Sequence, residues 1–309
     1  MIATHLKNQT KTGLLALYKY SGAAGAQELL ARWRGKSFLT VLLFHRVTDV
    51  IPEDGLTVST ARFRRICRML RRRFRVVPVG EIFRLVRSGQ PLPPRTVAIT
   101  FDDCYRDNLF AARVLAEHRL PACFFLPTGF VGTDRVFDWD RDLPRMANLT
   151  WDDVREMAAM GFEVGSHTVS HADLGAVSGE QARRELADSR AALEERLGRK
   201  VRWFAYPFGG RNNLRPAFVP LIAEAGYDGA FSGFGGFIHP GGDGLVLPRE
   251  AVPYFPSVLN LEVHLAGCLD WVYALKRRVG LGVPPEHSPS PYVQWQEEEA
   301  KAANSARNT

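Results

Sequence analysis

Residues 97–108 read VAITFDDCYRDN. The apolar half is an unbroken run of the kind that a strand buried on both faces of a helix-covered parallel sheet requires. It stops at two adjacent carboxylates, Asp102 and Asp103. Desolvating a carboxylate is costly, and two side by side raise each other's pKa, so the pair calls for a cation, a proton or open water. In parallel α/β folds, residues that break an apolar run at the carboxyl end of a strand are catalytic candidates.

Outward from this stretch the chain alternates between two periods. RVVPV (75–79), TVAITF (96–101) and ACFFLP (122–127) read as strands, and GEIFRLVRSG (80–89) and RDNLFAARVLAEHR (106–119) read as the helices between them. Such alternation implies a parallel sheet with helices outside. Upstream, SFLTVLLFHRV (37–47) is a further buried strand that ends in His45. Downstream, FEVGSH, RWFAYP, GAFSG, LVLP and EAVPYF predict more strands, enough for a barrel or a strongly curved open sheet. Thr150 with Asp153 forms a capping-box pattern for a helix from Trp151 to about Met160, and Ser178 with Gln181 another for a helix ending near Leu197.

The chain has 309 residues, with 40 Lys and Arg against 33 Asp and Glu, a formal charge of +7 that favours anionic surfaces without choosing one. Four scattered cysteines form no C-x-x-C pair and exclude a zinc ribbon or disulfide framework. Residues 1–36 read as an amphipathic helical segment, 37–283 as one catalytic domain and 284–309 as a disordered tail. The apolar stretch near the N-terminus is interrupted by Lys19, too early for a secretory core, and no run reaches membrane-spanning length. The expectation is a cytoplasmic protein peripheral to the inner membrane face.

STARFRRICRMLRRRFRVVPV (59–79) holds eight arginines. Phe63, Ile66, Cys67, Leu70 and Phe74 fall on one helical stripe, which makes this an amphipathic surface helix. A solvated face comes first, attraction to an anionic membrane or glycan second, and no nucleic acid is expected, because no aromatic residues interleave the arginines. FSGFGGFIHPGGDG (231–244) has six glycines but no G-K-[ST], and so reads as a mobile substrate-side loop rather than a phosphate loop. VFDWDRDLP (136–144) offers Trp139 as a sugar-stacking or loop-packing aromatic.

His167 and His171 in SHTVSH, with Asp103, make two imidazoles and one hard oxygen, an open donor set suited to a catalytic divalent ion. A cation held there leaves Asp102 free as a base, which explains why a strand would deliver two carboxylates.

TFDDCYRDN, SHTVSH and FAYPFGG, in this order, resemble the first three motifs of the polysaccharide deacetylase family, also called the NodB-homology or carbohydrate esterase family 4 domain. The resemblance covers roughly residues 38–255 and implies an α/β fold, a distorted (β/α) barrel. It implies a metal-dependent hydrolase, usually of zinc, that removes N-acetyl groups from N-acetylhexosamine residues of a polysaccharide or lipid-linked glycan, in bacterial exopolysaccharide or cell-envelope biosynthesis. Asp102 would be the general base, Asp103, His167 and His171 the ligands, and a backbone N–H near Phe208, beside Tyr206, the oxyanion donor. The leaving amine needs an acid. His45 in LLFHRV resembles the N-terminal histidine motif of the branch that includes biofilm poly-N-acetylglucosamine deacetylases, and is preferred to the later His264 and His287. Ala205 stands where many members have the arginine that orients the base, and Arg249 in LPRE is the candidate replacement. Cys104 replaces the usual glycine, where it would crowd the site or confer oxidant sensitivity. Rival readings are an O-acetyl esterase or small-amide amidohydrolase on the same fold, and a non-catalytic glycan-binding domain.

Overall fold

The computed structural model describes residues 38–241 and 244–267. The expected N-terminal amphipathic segment and C-terminal tail, with His287, lie outside the described residues.

The strands are β1 (Leu39–Phe44), β2 (Arg46–Val47), β3 (Thr57–Val58), β4 (Arg75–Val76), β5 (Thr96–Phe101), β6 (Cys123–Leu126), β7 (Glu163–Ser166), β8 (Trp203–Ala205), β9 (Gly229–Phe231) and β10 (Glu250–Ala251). The α-helices are α1 (Thr60–Arg73), α2 (Val79–Arg87), α3 (Asp107–Glu117), α4 (Trp151–Ala159), α5 (Gly179–Leu197), α6 (Val219–Glu224) and α7 (Val258–Leu265). The main sheet runs β10-β1-β5-β6-β7-β8-β9, all parallel, and β4 also pairs with β5. β1 occupies one edge of β5 along its whole length, so β4 and β6 share the other edge in succession. At the far end Leu247 bridges Phe231 of β9, and the same segment continues into β10 beside β1. One stretch of chain thus closes a distorted (β/α) barrel.

Period-two alternation sorts the side chains. Phe44, Val97, Ile99, Phe101, Phe124 and Leu126 pack outward in the core shared with the helices, while Val41, Ala98, Cys123, Phe125, Ala205 and Phe231 fill the barrel interior with Phe83 of α2. Phe83 stacks on Trp203, with centroids 4.6 Å apart, and leans on Phe231 at 5.0 Å. Followed upward, the inward set of β1 leads to His45 and that of β5 to Asp102.

The arginine-rich segment forms α1 as its stripe requires. Ser59 caps it by accepting from Arg62 N, Phe63, Ile66, Cys67 and Leu70 are buried, and three arginines in the last turn suit the helix dipole. Arg62 departs from the solvated reading: its guanidinium is buried, donating to Glu53 and to the carbonyls of Val252 and Phe255. Thr150 and Asp153 make both bonds of a capping box at α4, and Ser178 caps α5, which ends at left-handed Gly198. LVLP is not a strand: Leu245 and Val246 lie in a bend and Leu247 makes a single bridge, and Pro248 has no N–H to extend it into a ladder. Pro78 and Pro253 likewise cut RVVPV and EAVPYF to two-residue strands.

Gly165 in β7 shows how tightly the interior is filled. A Cβ there would lie 2.3 Å from the Phe125 ring and 2.9 Å from the Trp203 carbonyl oxygen. Gly165→Ala is expected to cost about 1–3 kcal/mol of stability through overpacking, read as a lower urea midpoint at unchanged slope.

Candidate active site

β5 delivers Asp102 by simple continuation: its N–H still donates to Phe44 O, 2.9 Å away. Asp103 should then face outward. It faces the same cavity because its φ of 67° breaks the alternation, a left-handed conformation that is rare without glycine. The SHTVSH loop uses the same device, with φ 66° at Thr168 and 58° at His171. Glu185 of α5 clamps this loop, its carboxylate accepting from Val169 N at 2.8 Å, Ser170 N at 2.9 Å and Ser170 Oγ at 2.6 Å.

Three donor atoms converge. His171 Nε2 lies 3.4 Å and His167 Nε2 3.8 Å from Asp103 Oδ1, and the ligand atoms of all three residues fall within 4.8 Å of one another. His167 Nδ1 is 2.7 Å from Ala205 O. A carbonyl only accepts, so Nδ1 carries the proton and Nε2 presents its lone pair to the cluster. Burial, which His171 reinforces and Asp102 and Asp103 only partly offset, lowers the His167 pKa to about 4 and keeps the ring neutral. Burial alone would raise the Asp103 carboxyl, but the adjoining His171 draws it down to about 2. Asp103 Oδ1 is nevertheless buried without a hydrogen-bond partner. An ionised oxygen without a hydrogen-bond partner, beside the His167 lone pair and the His171 ring, is a donor set that fits a divalent cation.

Asp102 has a different partner. Arg249, fully buried, donates from Nη1 to Oδ1 at 2.7 Å and from Nη2 to Oδ2 at 2.6 Å. Its Nε donates to Ser232 O at 2.8 Å, and its guanidinium lies over the rings of Phe125 and Phe231. Burial would raise the Asp102 pKa; the charge and hydrogen bonds of Arg249, with His167 and His45, together outweigh it and keep the carboxyl below its usual range.

The cavity, about 230 Å³, is lined by His45, Asp102, Asp103, His167, His171 and Arg249 on its floor and by Trp139, Phe208 and Tyr254 nearer its mouth. Leu43, Gly55, Leu56, Tyr206, Gly233 and Ala251 complete its sides. His45 Nδ1 is buried with no hydrogen-bond partner, and burial, only partly opposed by Asp103 and Asp102, lowers its pKa. Phe208 sits at φ 61°, half exposed, with its ring edge-on to His171 at 4.7 Å. Gly209 beside it cannot carry a side chain: a Cβ would come within 2.1 Å of Gly233 N.

Nine residues named from the sequence, His45, Asp102, Asp103, Trp139, His167, His171, Tyr206, Phe208 and Arg249, line this one cavity. His264 does not. It is buried on α7 against Glu250, at 3.2 Å, stacked on Phe237. Cys104 also behaves differently from expectation: its side chain is fully buried in the outer core, away from the cavity, and burial raises its thiol pKa well above the usual value. It neither crowds the site nor offers a reactive thiolate. Glu185 and Tyr254 escaped the sequence reading, since neither sits in a motif.

Residues 89–230 match the family described as polysaccharide deacetylase. That stretch, just under half of the chain, is similar to the family. Among curated relatives, a chitooligosaccharide deacetylase of Sinorhizobium fredii is 32% identical over 127 residues, 40% of this chain and 50% of the relative. A poly-beta-1,6-N-acetyl-D-glucosamine N-deacetylase of Escherichia coli is 31% identical over 153 residues, 46% of this chain and 22% of the relative. The chain spans about half the length, or less, of the curated relatives it matches. Among solved structures, IcaB from Ammonifex degensii aligns with TM-score 0.62 and 26% identity, covering 74% of this chain and 97% of that one. Streptococcus pyogenes deacetylase PplD in complex with acetate shares the fold, with TM-score 0.62 at 23% identity over 72% of this chain and 96% of that one. The family match takes in the aspartate pair and both histidines of SHTVSH, but not His45 or Arg249.

Removing Arg249 leaves Asp102 as a buried unpaired charge. Arg249→Met is expected to cost about 3–5 kcal/mol in chemical denaturation, with part of the loss recovered in Arg249→Met/Asp102→Asn. Equal stability of single and double variants would mean that the pair is not what the guanidinium supports.

Proposed function

We propose that this chain is a divalent-metal-dependent N-deacetylase acting on N-acetylhexosamine residues of a polysaccharide or lipid-linked glycan, in bacterial exopolysaccharide or cell-envelope biosynthesis. The observation that carries the reading is the pairing of a three-donor cluster, Asp103, His167 and His171, with an arginine-held carboxylate, Asp102, on one cavity floor.

Asp103, His167 and His171 would hold the ion, for which imidazole and carboxylate donors suit zinc. Such an ion supplies Lewis acidity toward a carbonyl oxygen and acidifies water. The protein supplies the rest. Asp102, kept ionised by Arg249, takes a proton from the attacking water, whose oxygen adds to the acetamide carbon. The developing oxyanion is met by the Phe208 N–H, which the left-handed turn leaves without an acceptor among the described residues. The C–N bond then breaks, with a proton delivered to the amine nitrogen, and acetate and a free amino sugar result. We assign that delivery to His45, which lines the same cavity, and its lowered pKa makes its protonated form the stronger acid. Trp139 forms a wall against which the sugar packs, and Tyr206, buried with its hydroxyl on Leu245 O, borders the cavity.

Wild type supplied with zinc is expected to release acetate from N-acetylated chitooligosaccharides, and Asp102→Asn to lose about 10²-fold or more in kcat while still binding metal. Chelation should abolish turnover and zinc restore it, and His171→Ala should lose the metal itself. Acetate release from acetylxylan or a small amide but from no N-acetylated glycan would move the assignment to an O-acetyl esterase or amidohydrolase. A protein that binds glycan without turnover would be a carbohydrate-binding domain.

We further propose peripheral contact with the anionic inner face of a membrane. Arg65, Arg68, Arg71 and Arg72 are exposed on α1 with no acidic partner among the described residues, and no helix among those residues is long and apolar enough to cross a membrane. The protein is expected to sediment with phosphatidylglycerol vesicles but not phosphatidylcholine vesicles, with binding lost as salt rises or on reversing these four charges. Equal binding to both vesicle types removes the proposal.

A further inference from the structure

Next to His45 lies an arginine the reaction does not use. Arg46 is 1% exposed, and its guanidinium is divided between two carboxylates. Nη1 donates to Asp140 Oδ1, Nη2 to Asp54 Oδ2 at 2.8 Å and Nε to Thr57 Oγ1 at 3.0 Å, and the plane lies 5.5 Å from the centroid of the Tyr105 ring. Burying a charged fork this completely costs several kcal/mol that the ion pairs only partly offset, so stability alone is a weak reason for it.

Each arm of the fork ends at one wall of the cavity mouth. On one side the other oxygen of Asp140 accepts from the Tyr105 hydroxyl at 2.5 Å, and that hydroxyl accepts from Trp139 Nε1 at 3.0 Å. The hydroxyl has a single proton, and Asp140 can only accept, so every bond in this chain has a fixed direction. Its far end sets the Trp139 ring, 36% exposed, edge-on to Phe208 at 5.8 Å and to His171 at 5.1 Å. On the other side Asp54 turns its loop by accepting from Leu56 N and Thr57 N, and so fixes Gly55. Tyr254, 76% exposed, packs on Gly55: a Cβ built there would touch the phenol oxygen at 3.5 Å. Three of the five exposed large apolar side chains among the described residues, Trp139, Phe208 and Tyr254, rim this cavity. Exposed aromatics around a concave site suit a ligand with an apolar face and a polar edge, which describes a pyranose ring.

We propose that Arg46 is a positioning residue for substrate recognition, holding Trp139 through Asp140 and Tyr105, and Tyr254 through Asp54 and Gly55, as two walls that grip a sugar ring. This rests on the glycan reading of the site. It assigns recognition to a buried guanidinium that touches neither substrate nor reacting atoms.

Tyr105→Phe removes one hydroxyl and keeps the ring, so it tests the Trp139 arm without emptying the core. Its KM for an N-acetylated chitooligosaccharide should rise about three- to tenfold with kcat changed less than about twofold, while hydrolysis of 4-nitrophenyl acetate, too small to need the walls, stays unchanged. In a Trp139→Ala background the same substitution should add nothing, since its effect passes through that ring. Arg46→Lys, which keeps the charge and loses the fork, should raise KM at least as much as Trp139→Ala or Tyr254→Ala alone. The ¹⁵N-indole resonance of Trp139 should shift and its proton exchange faster in Tyr105→Phe, a readout independent of turnover. An indole that does not respond, KM effects that add in the double variant, or losses confined to kcat would each overturn the positioning role while wild type still cleaves the glycan. A wild type that hydrolyses the ester but no N-acetylated glycan would instead overturn the glycan reading, and this proposal with it.

Discussion

The fork between Arg249 and Asp102 is the contact on which the rest of the molecule turns. Both side chains are buried, and neither charge is tolerable there without the other. Asp102 comes from β5, at the middle of the barrel wall, and Arg249 from the segment that links β9 to β10. Closing the barrel and keeping Asp102 ionised are therefore one structural event. The guanidinium rests on Phe125 and Phe231, Phe231 leans on Phe83 and Phe83 stacks on Trp203, so an aromatic column from α2 upward fixes its height. A lysine could supply the charge, but neither the paired bonds to both carboxylate oxygens nor the third bond to Ser232 O.

Around that fixed point the chain concentrates backbone strain. Asp103, Thr168, His171 and Phe208 all have positive φ without being glycine, and all belong to the strand exits that build the cavity. Each such residue costs of order 1 kcal/mol and persists only where its surroundings over-determine it. The over-determination is visible: Glu185 ties down the loop between the histidines, and the Gly209 backbone lies against Gly233. Regular strands alternate, so they can present only every second side chain to one spot. Two neighbouring carboxylates and two histidines four residues apart can share a focus only if the chain leaves the regular conformation at each.

This division explains what was legible in the sequence. Strands buried on both faces are continuous apolar runs, so Leu39–Phe44, Thr96–Phe101 and Cys123–Leu126 could be read directly, and their polar ends named His45 and the aspartate pair. Helices with a side-chain cap and an apolar stripe, such as Thr60–Arg73, were equally plain. What resisted was partnership at long range. Nothing in the period of the arginine helix tells that Arg62 turns inward, or that Arg46 meets Asp140 across 94 residues. Cys104 misled for a related reason. Its place in a motif suggested the cavity, whereas the turn at Asp103 sends the next side chain into the outer core.

The two adjacent carboxylates also end up electrostatically unequal, and that inequality is what makes the site directional. Arg249 offers one positive charge and spends it on Asp102 through both oxygens. Asp103 faces imidazoles instead, and one of them, His167, is kept neutral by burial and directed by its bond to Ala205 O. The cavity floor therefore holds one compensated carboxylate and one oxygen, Asp103 Oδ1, buried without a hydrogen-bond partner. A divalent cation satisfies that oxygen and the His167 lone pair at once, whereas a single proton cannot bridge the 3.8 Å between them. Because the guanidinium has already neutralised Asp102, such a cation is drawn to Asp103 and leaves its neighbour to handle protons. In the proposed reaction the pairing of arginine with one aspartate is thus what would separate ligand from base, two roles that residues 102 and 103 would otherwise compete for.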